Sequence, residues 1–244
     1  MKLIWVLLIS TLSVVSSAQS IDSTIAFISA ASMVECPIIG YSAESSELYE
    51  NFESLKSIAS KDQLYGFLDH ESSVLAVYSA FALLDRNEID PTLLIEKFMS
   101  NDEVVPTLCG CIGVDQSKST AVYERLIDSY LIPQYGTRNT TYIIQDVTVL
   151  DVVDIMILSS DDAPDDLLQL VFQYNSQPKS YLPFIEIWAF ERENFDAIEF
   201  MFKHNKQAYQ EPLKKVLKSK LKYSSQCGGH YENERMAEML SDLK

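Results

Sequence analysis

Residues 62–84, DQLYGFLDHESSVLAVYSAFALL, contain two short helical patterns joined by Asp69 and His70. The second pattern, over residues 72–85, predicts a helix that is apolar along nearly its whole length. Proline is favoured at the first position of a helix, so Pro91 predicts the start of another helix a few residues later. Helical periodicity therefore organises this part of the chain.

The same periodicity extends in both directions. Over residues 44–59, apolar side chains recur on one helix face: Leu48, Phe52, Leu55 and Ala59. Further helices are predicted over 22–35, 61–68, 117–131, 142–158, 164–174, 180–191, 195–204, 208–223 and around Met236 to Leu243. Cys109–Gly113 is predicted to contain a turn, because its two glycines disfavour both helix and strand, and residues 133–141 are predicted to form a loop.

Two segments resemble one another. DRNEID at residues 85–90 and ERENFD at residues 191–196 each follow an apolar helical pattern and precede an amphipathic one. Such an echo is typical of stacked helical hairpins. The sequence therefore predicts an all-α fold.

Residues 62–84 also resemble a HEAT-type helical repeat, in which a helix ends at an Asp-rich turn and a second helix follows. The positions where that second helix packs hold Leu75, Ser79, Ala82 and Leu83. Ala76 stands where the family often has arginine, and residues 166–203 resemble a more diverged unit. The resemblance implies a HEAT-like α-solenoid that serves as a scaffold or a peptide-binding surface. An irregular multi-helix bundle is the alternative.

The N-terminal residues have the pattern of a secretory signal peptide. Lys2 precedes a short apolar run, and Ser16 and Ala18 are the small residues that signal peptidase requires. The sequence predicts cleavage after Ala18, export to the periplasm or the extracellular space, and one domain over residues 19–244. An uncleaved membrane anchor or a buried helix is the alternative. After cleavage no integral membrane segment is expected.

The composition excludes several classes of partner. The formal net charge is −16 and the isoelectric point about 4.5, so nucleic acid and anionic membranes are unsuitable partners. The chain is 47% hydrophobic, which argues against disorder. It has only 7 glycines and 8 prolines, few for a turn-rich β-sandwich or a glycine-loop nucleotide binder.

The cysteines are Cys36, Cys109, Cys111 and Cys227. In an exported protein an even number of cysteines suggests disulfides. Cys109 and Cys111 are too close in sequence to pair easily. The favoured pairings therefore join Cys36 and Cys227 each to Cys109 or Cys111, and free buried thiols remain the alternative.

Cys227 and His230 have the C-x-x-H spacing of metal ligands. Together with Cys109 and Cys111 they offer a ligand set that suits structural zinc, but disulfides or free thiols are favoured in an exported protein. Cys227 as nucleophile with His230 as base would make a cysteine-dependent hydrolase. No family signature surrounds this pair.

Two charged clusters have simple structural interpretations. The first surrounds Pro164: Asp161, Asp162, Asp165 and Asp166. It is interpreted as a helix start, with a calcium site as the alternative. The second is the one basic stretch: Lys203, Lys206, Lys214, Lys215, Lys218, Lys220 and Lys222. It is interpreted as the solvated face of a helix, and an acidic partner is the alternative.

The sequence thus predicts an exported domain that binds another protein or peptide, with no catalytic residue, cofactor or metal. A structural or quality-control component without a dedicated ligand is one alternative. The hydrolase that uses Cys227 and His230 is the other.

Overall fold

The computed structural model describes residues 21–134, 141–144, 147–174, 181–224 and 230–243. The chain divides between residues 150 and 151 into two compact units, the N-terminal unit and the C-terminal unit. Helices predominate in both, and the N-terminal unit adds a four-stranded sheet. No helix within the described ranges combines the length and the apolar composition that crossing a membrane requires.

Side-chain caps begin several helices of the N-terminal unit. Ser46, Ser72 and Asp90 each accept a hydrogen bond from a backbone N–H in the first turn of the helix that follows. Ser60 and Gln63 form a reciprocal capping box. The helices are α1 (21–29), α2 (Glu47–Ile58), α3 (Lys61–Phe67), α4 (Ser73–Asp85), α5 (Pro91–Met99) and α6 (Lys118–Tyr130).

Helix α4 lies at the centre of the N-terminal unit. Every residue from Val74 to Leu83 is buried, and α4 packs against α2, α3 and α6. The ring of Phe52 on α2 stacks on Tyr78 with 4.8 Å between the centroids. The apolar stripe predicted on α2 is confirmed, since all four members are buried: Leu48, Phe52, Leu55 and Ala59.

The sheet of the N-terminal unit has the strand order β2-β1-β3-β4. Its strands are β1 (Val34–Ile39), β2 (Glu44–Ser45), β3 (Val104–Gly110) and β4 (Ile112–Ser117). The central pair, β1 and β3, is parallel, whereas β2 and β4 are antiparallel to their neighbours. A separate antiparallel pair consists of β5 (Leu131–Gln134) and β6 (Thr141–Ile144).

The prediction of an all-α solenoid is therefore wrong, whereas the resemblance of residues 62–84 to a HEAT-type repeat stays a prediction. Strands of the mixed sheet lie between helices in the sequence, and the end of the predicted helix 22–35 belongs to strand β1. Of the loop predicted over residues 133–141, the described residues 133–134 belong to β5 and residue 141 belongs to β6. Gly110 lies in the turn that ends β3, and Gly113 lies within β4, where it pairs with Leu108. The two glycines therefore do not prevent the strands. Helical periodicity is a local signal, and strand pairing across distant parts of the chain leaves little trace in it.

The described residues of the C-terminal unit form helices joined by turns, with no strand among them. Helix α7 (Val147–Ser159) contains the division between the units, and α8 is Asp165–Tyr174. Helix α9 (Leu182–Glu186) passes into a π-helical turn, Ile187–Glu191. Then follow α10 (Phe195–Asn205), α11 (Gln210–Ser224) and α12 (His230–Asp242).

The two segments that resemble one another in sequence also share a backbone course. In residues 85–90, Asn87 adopts a left-handed conformation with φ 52°, and in residues 191–196 Glu193 does so with φ 53°. Each segment follows the end of a helical element and leads into an N-capped helix, α5 or α10. The echo is thus a repeated helix–turn–helix connection.

The arginines of the two segments make the same kind of contact. Arg86 donates through Nη1 to the carbonyls of Lys56 and Ala59, at 3.2 and 2.7 Å, where α2 ends. Arg192 donates through Nη1 to the carbonyls of residues 160–161, at 3.4 and 3.3 Å, just after α7. Each arginine therefore satisfies carbonyls left unpaired at or just beyond a helix C-terminus.

Candidate protein-binding surface at the disulfide end of the sheet

A disulfide joins the two central strands of the sheet. Cys36 on β1 is bonded to Cys109 on β3, with 4.8 Å between the Cα atoms and a sequence separation of 73. This is one of the pairings that the sequence left open. Cys227 lies outside the described residues.

Cys111 occupies the turn between β3 and β4. Cys109 pairs with Ile112, so Gly110 and Cys111 form a two-residue hairpin loop. Gly110 has φ 57°, as a type II′ turn requires at its first loop position. Cys111 is a free, exposed thiol. The turn predicted in this segment is confirmed.

Strand β1 is irregular beside the disulfide. Glu35 pairs with Leu108 and Ile39 with Gly110, so residues 36–38 lie opposite Cys109 alone. Pro37, which has no N–H to donate, lies in this irregular stretch. The strand is held on both sides of it, because Gly40 N–H donates to the carbonyl of Gly110 at 2.7 Å. The irregularity thus coincides with Cys36 and lies opposite its disulfide partner, Cys109.

Tyr78 anchors β1 to the core. Its hydroxyl donates to the carbonyl of Glu35 at 2.9 Å and accepts from the N–H of the same residue at 2.8 Å. Burial raises the pKa of Tyr78 well above its ordinary value, so the hydroxyl stays protonated and able to donate. One buried side chain thus holds the residue next to Cys36.

Tyr78→Phe is expected to destabilise the N-terminal unit by about 2 kcal/mol, because both backbone groups of Glu35 lose their partner. Amide hydrogen exchange at Glu35 checks this and should become faster. Tyr65→Phe is the matched control, because Tyr65 is 39% exposed and its hydroxyl contact is long, at 3.5 Å. Equal effects of the two substitutions would contradict the anchoring role.

One face of the sheet is covered at one end and open at the other. The strand register places Val105, Ile112 and Val114 on the face that carries the disulfide. Helices bury this face at Val34 and Val105, which are 5% and 1% exposed. Near the disulfide, Ile112 and Val114 are 66% and 47% exposed. The open part of this face is apolar.

Two further apolar residues lie at the same end of the sheet. Ile38 is 54% exposed on β1, and Tyr41 is 97% exposed in the connection to β2. We call this region the disulfide end, and it contains Cys36, Ile38, Tyr41, Cys109, Cys111, Ile112 and Val114. Clustered exposed apolar residues mark sites of interaction more often than scattered ones do.

Strand β4 also exposes a backbone edge. Among the described residues it pairs with β3 alone, and all residues from Ile112 to Asp115 are exposed. An edge strand presents N–H and C=O groups that can pair with another chain. Apolar side chains and free backbone groups therefore occur together at the disulfide end.

The N-terminal unit also contains a polar cleft, which is less suited to a ligand than the disulfide end is to a partner strand. The cleft has a volume of 320 Å³, and Asp69, His70, Lys97, Glu103 and Lys118 contribute to its lining. The ammonium of Lys97 lies 2.5 Å from the carboxylate of Asp69, and that of Lys118 lies 3.1 Å from Glu103. These charges are paired within the cleft.

The predicted zinc ligands and the predicted hydrolase pair both include Cys227 and His230. Cys227 and the side chain of His230 lie outside the described residues. No described group of three or more His, Cys, Asp or Glu side chains is arranged to hold a metal ion. The interpretation of the aspartate cluster as a helix start is confirmed, because α8 carries Asp165 and Asp166 in its first turn.

Sequence reasoning identified the cysteines of this surface but missed the strand edge. The alternation of Ile112 and Val114 with Gly113 and Asp115 was a signal for a strand, although not for its position at the edge of a sheet. Neither a protein-family model, nor a curated protein, nor a solved structure matches this chain. Function is therefore inferred from the geometry of the described residues.

Proposed function

We propose that this chain is an exported protein that binds an extended segment of another protein along β4. The observation that carries the proposal is the open edge of β4 beside exposed Ile112 and Val114. An extended segment adds to such an edge as a further strand, and its backbone supplies the hydrogen-bond partners. The disulfide supports export, because disulfides persist in oxidising compartments.

The side chains of β4 specify the chemistry of the partner. Ile112 and Val114 point to one face of the sheet, and Asp115 lies on the other. A bound strand also alternates its side chains, so it would place apolar residues beside Ile112 and Val114 and a basic residue beside Asp115. The net charge of −16 favours the same basic partner.

The surface is preorganised for such binding. The Cys36–Cys109 disulfide and the Tyr78 anchor hold β1 and β3 in register, and β4 continues from β3 through a two-residue turn. A rigid edge loses little conformational entropy when a partner binds. Most of the ordering cost then falls on the incoming segment.

Val114→Lys is expected to weaken peptide binding about tenfold, which corresponds to about 1.4 kcal/mol. The substitution removes an apolar contact and places a cation beside a basic partner. The probe is a peptide selected on the wild-type protein from a phage-displayed random library, then synthesised and measured by isothermal titration calorimetry. The selected peptides should alternate apolar and basic residues.

Val104→Lys is the matched control. Val104 is 67% exposed, but it lies on the central strand β3 and on the opposite face of the sheet. Its substitution should change the affinity less than about twofold. Equal losses in the two variants, or a selection that yields no binding peptide, would contradict the proposal. Concentration-dependent dimerisation that Val114→Lys abolishes would identify a second copy of this chain as the occupant instead.

A further inference from the structure

A second surface lies in the C-terminal unit, between the π-helical turn and α11. It is a groove of 660 Å³ whose apolar lining comes from Phe190, Pro212 and Val216. The charged residues of its lining are Glu193, Glu211 and Lys215, and Glu211 is paired with Lys214 at 3.0 Å. We call it the α11 groove. Its volume lies within the range of about 300–1,000 Å³ that is typical of ligand pockets.

The lysines of α11 differ in whether their ammonium groups have an ion-pair or hydrogen-bond partner. Lys214 lies 3.0 Å from a glutamate of its own helix, and Lys220 donates to the carbonyl of Glu193 at 2.5 Å. Lys215 and Lys218 are exposed, and among the described residues neither takes part in an ion pair. They are three positions apart, so both project from the same side of the helix. This leaves two unneutralised cations, one of them in the lining of the groove.

The groove is held open by contacts on its own residues. Phe190 stacks on Tyr209 with 5.8 Å between the ring centroids and 19° between the planes. The left-handed residue Glu193 is tied to α11 through Lys220. An apolar side chain that enters the groove therefore meets preformed walls.

We infer that the α11 groove docks an acidic protein segment that carries one large apolar side chain. The apolar side chain lies against Phe190, Pro212 and Val216, and the acidic residues lie beside Lys215 and Lys218. Charge complementarity favours this occupant, because these lysines belong to the one basic stretch of a chain whose net charge is −16. Glu193 and Glu211 disfavour acidic groups beside them, and so orient the segment with its acidic residues at Lys215 and Lys218.

This inference goes beyond the proposed function. The edge of β4 suits a basic and apolar strand, whereas the α11 groove suits an acidic segment with an apolar anchor. The two surfaces belong to different units and take partners of opposite charge. Failure of one proposal leaves the other intact.

The first test uses a fluorescein-labelled peptide with one tryptophan between two runs of glutamate. Two matched peptides replace the tryptophan by serine or the glutamates by lysine. We expect fluorescence anisotropy to show binding of the first peptide to the full chain, and each matched peptide to bind about tenfold more weakly. Binding should also weaken as salt is raised. Equal binding of all three peptides, or no binding of the first, would overturn the inference.

The second test localises the binding on the protein. Lys215→Glu with Lys218→Glu should weaken binding about tenfold. Lys203→Glu with Lys206→Glu changes the net charge equally at the end of α10, and it should weaken binding less than about twofold. Equal losses would mean that net charge and not the groove holds the peptide, and they would contradict the inference.

A third variant, Ser219→Trp, fills the groove without changing the charge and should also abolish binding. Trp188 is buried in the same unit, so its fluorescence in the lysine variants reports whether this unit is folded. For Ser219→Trp, far-ultraviolet circular dichroism replaces it. If Ser219→Trp is folded and binds normally, the peptide does not occupy the groove.

Discussion

Cys36→Ser is expected to destabilise the N-terminal unit by about 4 kcal/mol, because the Cys36–Cys109 disulfide spans 73 residues of sequence. The cross-link removes much of the chain entropy of the unfolded state, and that entropy returns when the bond is lost. The segment that the disulfide closes contains α2, α3, α4 and α5, so its loss should destabilise most of the core of this unit. Cys36→Ser is the clean variant, since Cys109→Ser would leave Cys36 free to pair with Cys111.

Amide hydrogen exchange in α2 and α4 measures the effect within the N-terminal unit. Cys111→Ser is the matched control and should change exchange little, because Cys111 is exposed and unbonded. The fluorescence of buried Trp188 reports on the C-terminal unit and should be unchanged. If Cys36→Ser and Cys111→Ser have the same effect, the disulfide does not stabilise the sheet.

Asp85→Ala is expected to destabilise the N-terminal unit by about 3 kcal/mol, because it leaves two cations facing one another in a partly buried site. Arg125 donates to the two carboxylate oxygens of Asp85 at 2.9 and 2.6 Å, and Lys56 donates to one of them at 3.0 Å. The carboxylate side chain is only 16% exposed. The guanidinium of Arg125 also lies over the rings of Phe52 and Phe81. The group therefore ties together α2, α4 and α6.

The loss of stability in Asp85→Ala should be smaller at low pH than at neutral pH. Burial raises the pKa of Asp85, but the hydrogen bonds and charges of Arg125 and Lys56 outweigh it and hold the pKa below the ordinary value of 3.8. A carboxyl whose folded-state pKa is depressed stabilises the fold above its unfolded pKa, and this contribution is lost as the pH falls through the folded pKa. The difference between wild type and Asp85→Ala should thus be full at neutral pH and shrink below about pH 4.

Asp69→Ala is the control for an exposed ion pair. Asp69 binds Lys97, but its side chain is 74% exposed. Exposed pairs typically contribute less than about 1 kcal/mol. Amide exchange in α4 and α6, measured at pH 7 and pH 3, should separate the two variants. A loss for Asp85→Ala that is as small as for Asp69→Ala, or that does not change with pH, would refute the assignment.

The helices could be predicted because their signals are local. The stripe on α2 and the proline that opens α5 both lie within the elements that they specify. Pro37 shows the limit of this reasoning. The helix predicted over residues 22–35 stops just before this proline, which lies in strand β1 beside the disulfide. A proline excludes a continuing helix, but it does not say which structure replaces it.

The sheet and the binding surface depend on contacts between distant residues. Strand β1 pairs with β3 in parallel, although four helices lie between the two strands in the sequence. Only the cysteines connected these segments in the sequence, and their pairing was left open. The edge of β4 is a property of the assembled sheet, because only the strand order shows which strand has one neighbour. Local patterns carry no such information.

The central claim is that an extended protein segment pairs with β4. Amide hydrogen exchange of residues 111–117, with and without a saturating amount of the selected peptide, tests it most directly. The account predicts slower exchange at alternate residues of β4, where backbone N–H groups gain partners, and no change at β2 on the opposite edge of the sheet. Unchanged exchange in β4, or protection at β2 instead, would contradict it.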